Sequence, residues 1–172
     1  MTPIYCYSGI DRYAIHEAGH ALVCLELGLE INFATILPDE NKKYRSCVQR
    51  RNNPRIDPYD MTGANLLLIK QEVKVKYGGQ AALWEADLSI EGVDDDWDCI
   101  NFVTKGLLKN TKVEIITDCR EQVKMMIVTH RRRFIAIAKE LDREKNLSGT
   151  EIGKLYEKRI WKIFEFFSVI KM

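Results

Sequence analysis

Residues 13–23 read YAIHEAGHALV, and this stretch determines the expected first helix of the chain. Within it and just beyond it, apolar residues recur at three- and four-residue spacing, which is typical of a helix with one buried face. Ser8 and Asp11 are both suited to cap the start of such a helix, and Gly28 is suited to end it. We therefore expect a helix over residues 11–27.

The same stretch contains the motif HExxH, formed by His16, Glu17 and His20. Residues four apart lie on one face of a helix, with their β-carbons about 5–6 Å apart, so the two imidazoles can bind one metal ion. Zinc is the ion we expect, although two histidines and a carboxylate also suit other divalent metals. Glu17 lies beside this face, where it can accept a proton from water bound to the metal.

A catalytic zinc usually has three protein ligands and one position left for water or substrate, so a third ligand is needed. Cys24 follows His20 by one further turn, which moves it too far along the helix axis for easy convergence. His130 is followed by three arginines, a setting that disfavours another cation. The acidic stretch 85–98 is the better source, and its candidates are Glu91, Asp94, Asp95, Asp96 and Asp98. Their spacing alone selects none of them.

The remaining pattern predicts a mainly α (α+β) fold with two or three short strands. Strands are expected over residues 32–37 and 44–49, joined by a turn at 41–43. Adjacent glycines, Gly78 and Gly79, indicate either close helix packing or a helix break. Further helices are expected over 60–85, 94–108, 118–145 and 148–167, the last opened by a capping box of Ser148 and Glu151.

Composition limits the classes of function that remain. The 172 residues carry 26 basic and 25 acidic side chains, and this balance gives no reason to expect a nucleic-acid partner. A hydrophobic content of 46% suits a single globular domain over 1–172. We expect no transmembrane segment and no signal peptide. The five cysteines form no CxxC pair, which favours a reducing, cytoplasmic location.

Four segments resemble the peptidase domain of the FtsH-type ATP-dependent zinc metalloproteases. They are YAIHEAGHALV at 13–23, ATILP at 34–38, YGGQAA at 77–82 and GVDDD at 92–96, and they occur in the family's order. The resemblance spans about 12–156. It implies a helical zincin-like domain with a small sheet beside the metal, and the hydrolysis of peptide or unfolded protein substrates.

The resemblance also selects among the acidic candidates. In the family, the third zinc ligand is an acid at the start of a helix, and the GVDDD segment aligns it with Asp96, with Asp95 as the alternative. The ligand set implied is therefore His16, His20 and Asp96, with Glu17 as the catalytic base. The implied enzyme is a zinc metalloendopeptidase of the HExxH type.

The chain also departs from the family. It has no GxxxxGK[ST] loop, and the arginine and acid of the family's YGGRxAE segment are replaced by Gln80 and Leu83. We therefore expect a standalone peptidase that is not ATP-dependent by itself. The alternatives are a non-catalytic zinc-binding interaction module and a regulatory helical domain without metal. The apolar helix expected at 157–172 would pack on the core or serve as an oligomer or partner contact.

Overall fold

The computed structural model describes residues 7–38, 46–91 and 94–157, which form a mainly helical fold with a small sheet. This confirms the predicted fold class. Within these ranges, no helix combines the length and apolarity needed to span a membrane. The elements, in chain order, are α1 Arg12–Glu26, β1 Ile31–Thr35, β2 Cys47–Arg50, α2 Gly63–Glu85, α3 Asp94–Val103, α4 Lys109–Thr129, α5 Arg131–Glu144, β3 Asn146–Ser148 and α6 Gly149–Glu157.

Helix α1 lies at the centre of the fold and agrees closely with its predicted bounds. The Asp11 side chain accepts a hydrogen bond from the Tyr13 backbone N–H at 2.7 Å, so it is the N-cap. Gly28 follows the helix with a φ of +70°, the left-handed conformation that glycine adopts without strain. Because α1 packs on α2, α5 and the sheet, most of its surface is buried, including Glu17 and His20 of the HExxH motif, while the His16 side chain is 14% exposed.

Helices α1 and α2 cross at two glycines. A β-carbon added to Gly78 would lie 2.8 Å from the Gly19 carbonyl oxygen, and one added to Gly19 would lie 2.6 Å from the Ala82 β-carbon. Both are closer than real contacts allow, so only glycine permits this approach of the two backbones. Helix α2 continues unbroken through Gly78 and Gly79, which confirms close packing as the reason for the pair.

Replacing Gly78 with alanine is expected to destabilise the protein by about 1–3 kcal/mol, because the added methyl group meets backbone atoms that cannot move aside easily. Gly153→Ala in α6 is the matched control, since a β-carbon there has no neighbour within 4 Å. Its expected effect is neutral, or stabilising by up to about 1 kcal/mol from helix propensity. Urea unfolding followed by circular dichroism measures both. Equal stability of the two variants would contradict the close crossing.

The three strands form one antiparallel sheet in the order β2-β1-β3. The first two lie where strands were predicted, and β3 is a strand that the pattern did not identify. The capping box predicted at Ser148, the last residue of β3, is confirmed. The Ser148 backbone N–H donates to Glu151 Oε2 at 2.8 Å, and the Glu151 backbone N–H donates to Ser148 Oγ at 3.3 Å.

The prediction of one long helix over 118–145 was wrong. The structure has two helices, α4 and α5, which meet at His130, and α4 begins earlier, at Lys109. Phe134 lies seven positions after Ile127, so the apolar spacing continues across the junction and does not mark it. Tertiary packing sets the break, because α4 packs mainly on α2 whereas α5 packs on α1.

Three smaller boundaries also differ from the predictions. Helix α2 begins at Gly63 rather than at residue 60, with Thr62 as its N-cap. Helix α3 ends at Val103 instead of residue 108. The turn predicted at 41–43 and the apolar helix predicted at 157–172 lie outside the described residues, apart from Glu157 itself, which ends α6.

Candidate metal centre

Three side chains from two helices meet beside α1. The Nε2 atoms of His16 and His20 lie 2.9 Å apart, and Asp96 Oδ2 lies 3.2 Å from the first and 3.1 Å from the second. His16 and His20 are one turn apart on α1, and Asp96 comes from the first turn of α3. Among the described residues, these three form a group of ligand atoms close enough to share one ion.

The hydrogen bond made by Nδ1 of His20 determines whether Nε2 can act as a metal ligand. Nδ1 lies 2.7 Å from the Val75 carbonyl oxygen, which can only accept, so Nδ1 carries a proton and donates it to this bond. In the neutral imidazole, Nε2 therefore presents its lone pair to His16 and Asp96. Metal-binding histidines are commonly oriented by such a bond to a backbone carbonyl.

The spacing of the three atoms fits a tetrahedral ion. With bonds of about 2.0–2.1 Å, two ligand atoms of a tetrahedral zinc site lie roughly 3.3–3.4 Å apart. The observed separations of 2.9, 3.2 and 3.1 Å are within a few tenths of an ångström of that value. Two imidazole nitrogens and one carboxylate oxygen also form a donor set typical of catalytic zinc. These residues fit the metal that the sequence motif predicts.

The electrostatics of the site favour a cation. Burial works against protonation of His20, but the Asp96 carboxylate outweighs it and holds the pKa of this imidazole above its usual value. Burial alone would raise the pKa of Asp96, yet His20, His16 and Lys76 together hold it well below its usual range. Asp96 is therefore a carboxylate, the form in which it binds metals.

Glu17 is buried next to this group and is held by a hydrogen bond. It is 3% exposed, and Ser46 Oγ, just before β2, donates to Glu17 Oε1 at 2.6 Å. Both side chains line the cavity that contains His16 and His20. The base predicted from the motif is thus fixed between α1 and the sheet.

Gly79 provides the space for His16. A β-carbon at Gly79 would lie 2.6 Å from His16 Nε2, so any larger residue would displace the imidazole. The absence of a side chain therefore has a different consequence at each of the two adjacent glycines. Gly78 lets the helices approach, and Gly79 accommodates the ring of a candidate ligand.

The three groups face a cavity of about 700 Å³ between α1, α2, α3 and β2. An ion pair closes part of its wall. Arg50 of β2 donates to Glu72 Oε2 of α2 at 2.6 Å, and the two side chains are only 12% and 8% exposed. Loss of either partner would leave the other charge buried and uncompensated, so the intact pair holds β2 against α2. The rest of the lining is largely apolar, with Tyr13, Val48, Ile56, Phe102 and Val103.

The other candidates from the sequence lie elsewhere. Asp95 is exposed at the edge of the cavity and is not part of the ligand group. Cys24 is fully buried, and burial raises the pKa of its thiol to about 12, so it stays protonated. His130 Nε2 instead contacts Glu26 Oε2 at 3.2 Å, at the far end of α1. Glu91 and Asp98 are exposed and lie outside the group.

The sequence analysis missed two polar residues of the site, Ser46 and Lys76. Lys76 Nζ lies 3.2 Å from Asp96 Oδ1, on the side of the carboxylate away from the histidines. The sequence carries a signal for this face of α2, although not for the role of Lys76. Glu72, Lys76 and Gly79 recur at four- and three-residue spacing, so two opposite charges and a glycine share one face of a helix that is otherwise rich in apolar residues.

Comparison with known proteins adds no assignment to this geometry. No protein-family model matches the chain, and no curated protein matches it at a significant level. Interpretation of the site therefore rests on its residues and their arrangement.

Proposed function

We propose that the chain is a zinc-dependent peptidase whose metal is bound by His16, His20 and Asp96 and whose base is Glu17. One observation carries the proposal. The two motif histidines converge with a single carboxylate from another helix, and the motif glutamate lies beside them in the same cavity. Metal binding alone does not require a buried carboxylate next to the ligands, whereas hydrolysis does.

The metal would supply a Lewis acid that lowers the pKa of water towards about 7 and polarises a carbonyl group. Glu17 would accept the proton of the attacking water. Its Oε1 is occupied by the Ser46 hydroxyl, which leaves Oε2 for the proton. The glutamate would then transfer that proton to the nitrogen of the departing amine. The hydrogen bond from Ser46 keeps the carboxylate from rotating away between these two transfers.

The expected substrate is an extended polypeptide segment. Strand β2 lies at one side of the sheet, and within the described ranges only β1 pairs with it. Ser46, Cys47 and Val48 also line the cavity that contains Glu17. An extended chain that adds to this edge would hydrogen-bond through its backbone and pass beside the candidate ligands. Unfolded proteins and short peptides meet that requirement, whereas folded domains do not.

Cleavage is expected to depend on the metal. An unfolded protein such as reduced, alkylated casein should be cleaved by the zinc-loaded chain, and 1,10-phenanthroline should reduce cleavage to background. The isomer 1,7-phenanthroline does not chelate and serves as the matched control. One equivalent of zinc added back after dialysis should restore activity. Cleavage that persists without any bound metal would contradict the proposal.

The alternative is a non-catalytic zinc-binding module with the same ligands. It shares the metal but assigns no chemistry to Glu17. A wild-type chain that binds zinc tightly and cleaves neither casein nor a broad peptide library would favour this alternative. A chain that binds no metal would favour the third interpretation, a helical domain in which the histidines serve only packing.

A further inference from the structure

The two oxygens of the Asp96 carboxylate have different partners. Oδ2 faces the histidines, at 3.2 Å from His16 Nε2 and 3.1 Å from His20 Nε2. Oδ1 faces Lys76, whose Nζ lies 3.2 Å away. In the described part of the chain, Lys76 is the residue that donates a hydrogen bond to Oδ1. The orientation of this carboxylate is therefore determined from both sides.

The separate partners of the two carboxylate oxygens determine how Asp96 can bind a metal. A carboxylate can bind through one oxygen or through both, and binding through both uses two coordination positions. An ammonium group on Oδ1 leaves only Oδ2 directed towards His16 and His20. Asp96 would then contribute one ligand atom, so that three protein atoms occupy three positions and a fourth stays open.

Resting on the proposed function, we infer that Lys76 is a positioning residue that holds Asp96 as a ligand through Oδ2 alone. It joins α2 to α3 across the cavity wall, and its side chain is 31% exposed, against 13% for Asp96. A free ammonium group so close to a divalent ion would oppose binding by Coulomb repulsion. Here the charge of Lys76 is paired with Oδ1, which weakens that repulsion. We therefore expect removal of the lysine to weaken metal binding through lost orientation by more than it strengthens binding through relieved repulsion.

Zinc affinity of the full chain tests this inference without any measurement of cleavage. Lys76→Met keeps most of the length of the unbranched side chain and removes the charge. It is expected to weaken zinc binding about 10–100-fold, the usual effect of losing an outer partner of a ligand. Lys76→Arg should recover most of the affinity because it can donate to the same oxygen. Lys74→Met is the matched control, a lysine of the same helix and similar exposure that does not line the cavity.

A spectroscopic readout separates positioning from a general structural effect. Cobalt substituted for zinc absorbs visible light more strongly in a tetrahedral site than at higher coordination number. The cobalt-loaded Lys76→Met protein should absorb less than wild type because Asp96 is free to bind through both oxygens. Lys76→Arg and Lys74→Met should keep the wild-type spectrum. Circular dichroism of each variant verifies that the fold is retained.

Affinity and spectrum that are unchanged in Lys76→Met would overturn the inference, and so would tighter zinc binding, which would mean that the ammonium only repels the metal. The inference fails separately from the proposed function. A wild-type chain that binds zinc but cleaves nothing would contradict the proposed peptidase activity. Weaker zinc binding by Lys76→Met would still support the positioning role of Lys76. A wild-type chain that binds no zinc would overturn both.

Discussion

Glu17→Gln is expected to keep zinc binding intact and to lower peptide cleavage by about 10²–10⁴-fold, the usual contribution of a general base. The amide has the shape of the carboxylate and can still accept the hydrogen bond from Ser46, so the buried side chain stays in place. It cannot take a proton from water at neutral pH. Turnover of casein with zinc content measured on the same samples gives both quantities.

Glu30→Gln is the control for this substitution. Glu30 is 62% exposed, and among the described residues its carboxylate pairs with Arg51, whose side chain is 68% exposed. Removing its charge should alter neither zinc content nor cleavage, because exposed ion pairs contribute little. Cleavage by Glu17→Gln at the wild-type rate would contradict the assignment of Glu17 as the general base, whatever the zinc content of the variant.

The second large effect concerns the third ligand. Removal of an outer partner of a ligand weakens metal binding about 10–100-fold. Asp96→Asn is expected to weaken zinc binding by more than this, because it removes the charged oxygen that binds the metal. The substitution keeps the size of the side chain, so packing at the start of α3 is preserved. Zinc affinity determined by competition with a chelator of known strength measures the change.

Asp95→Asn provides the comparison within the same acidic run. Asp95 is exposed and lies outside the ligand group, so its loss should leave zinc affinity within about two-fold of wild type, as expected for a surface position. Equal losses in the two variants would mean that the acidic stretch acts only through its summed charge. A larger loss in Asp95→Asn would move the third ligand to the neighbouring residue.

Local patterns in the sequence predicted α1 and its motif well, because cap, apolar spacing and terminal glycine all lie within one short segment. The same holds for the capping box at Ser148. The junction at His130 could not be predicted, because the apolar spacing runs through it and only packing against α1 and α2 separates the two helices. Strand β3 is three residues long and owes its identity to pairing with β1, which is far away in sequence.

The residues of the candidate site could likewise be predicted from the sequence only in part. His16, Glu17 and His20 follow from helical spacing alone, whereas the acidic run offered five candidates that spacing could not rank. The resemblance selected Asp96, and the packing of α3 on α2 accompanies the placement of Asp96 beside the histidines, with Asp95 exposed. Lys76 was missed for a related reason. Its role depends on which oxygen of Asp96 it contacts, and no linear pattern contains that information.

The anomalous scattering of zinc in a crystal of the metal-loaded chain tests the central claim most directly. A difference map at the zinc absorption edge should show one strong peak about 2.0–2.2 Å from His16 Nε2, His20 Nε2 and Asp96 Oδ2. A crystal loaded with zinc that shows no peak there, or shows its strongest peak at His130 or at an exposed acid, would contradict the proposed metal centre.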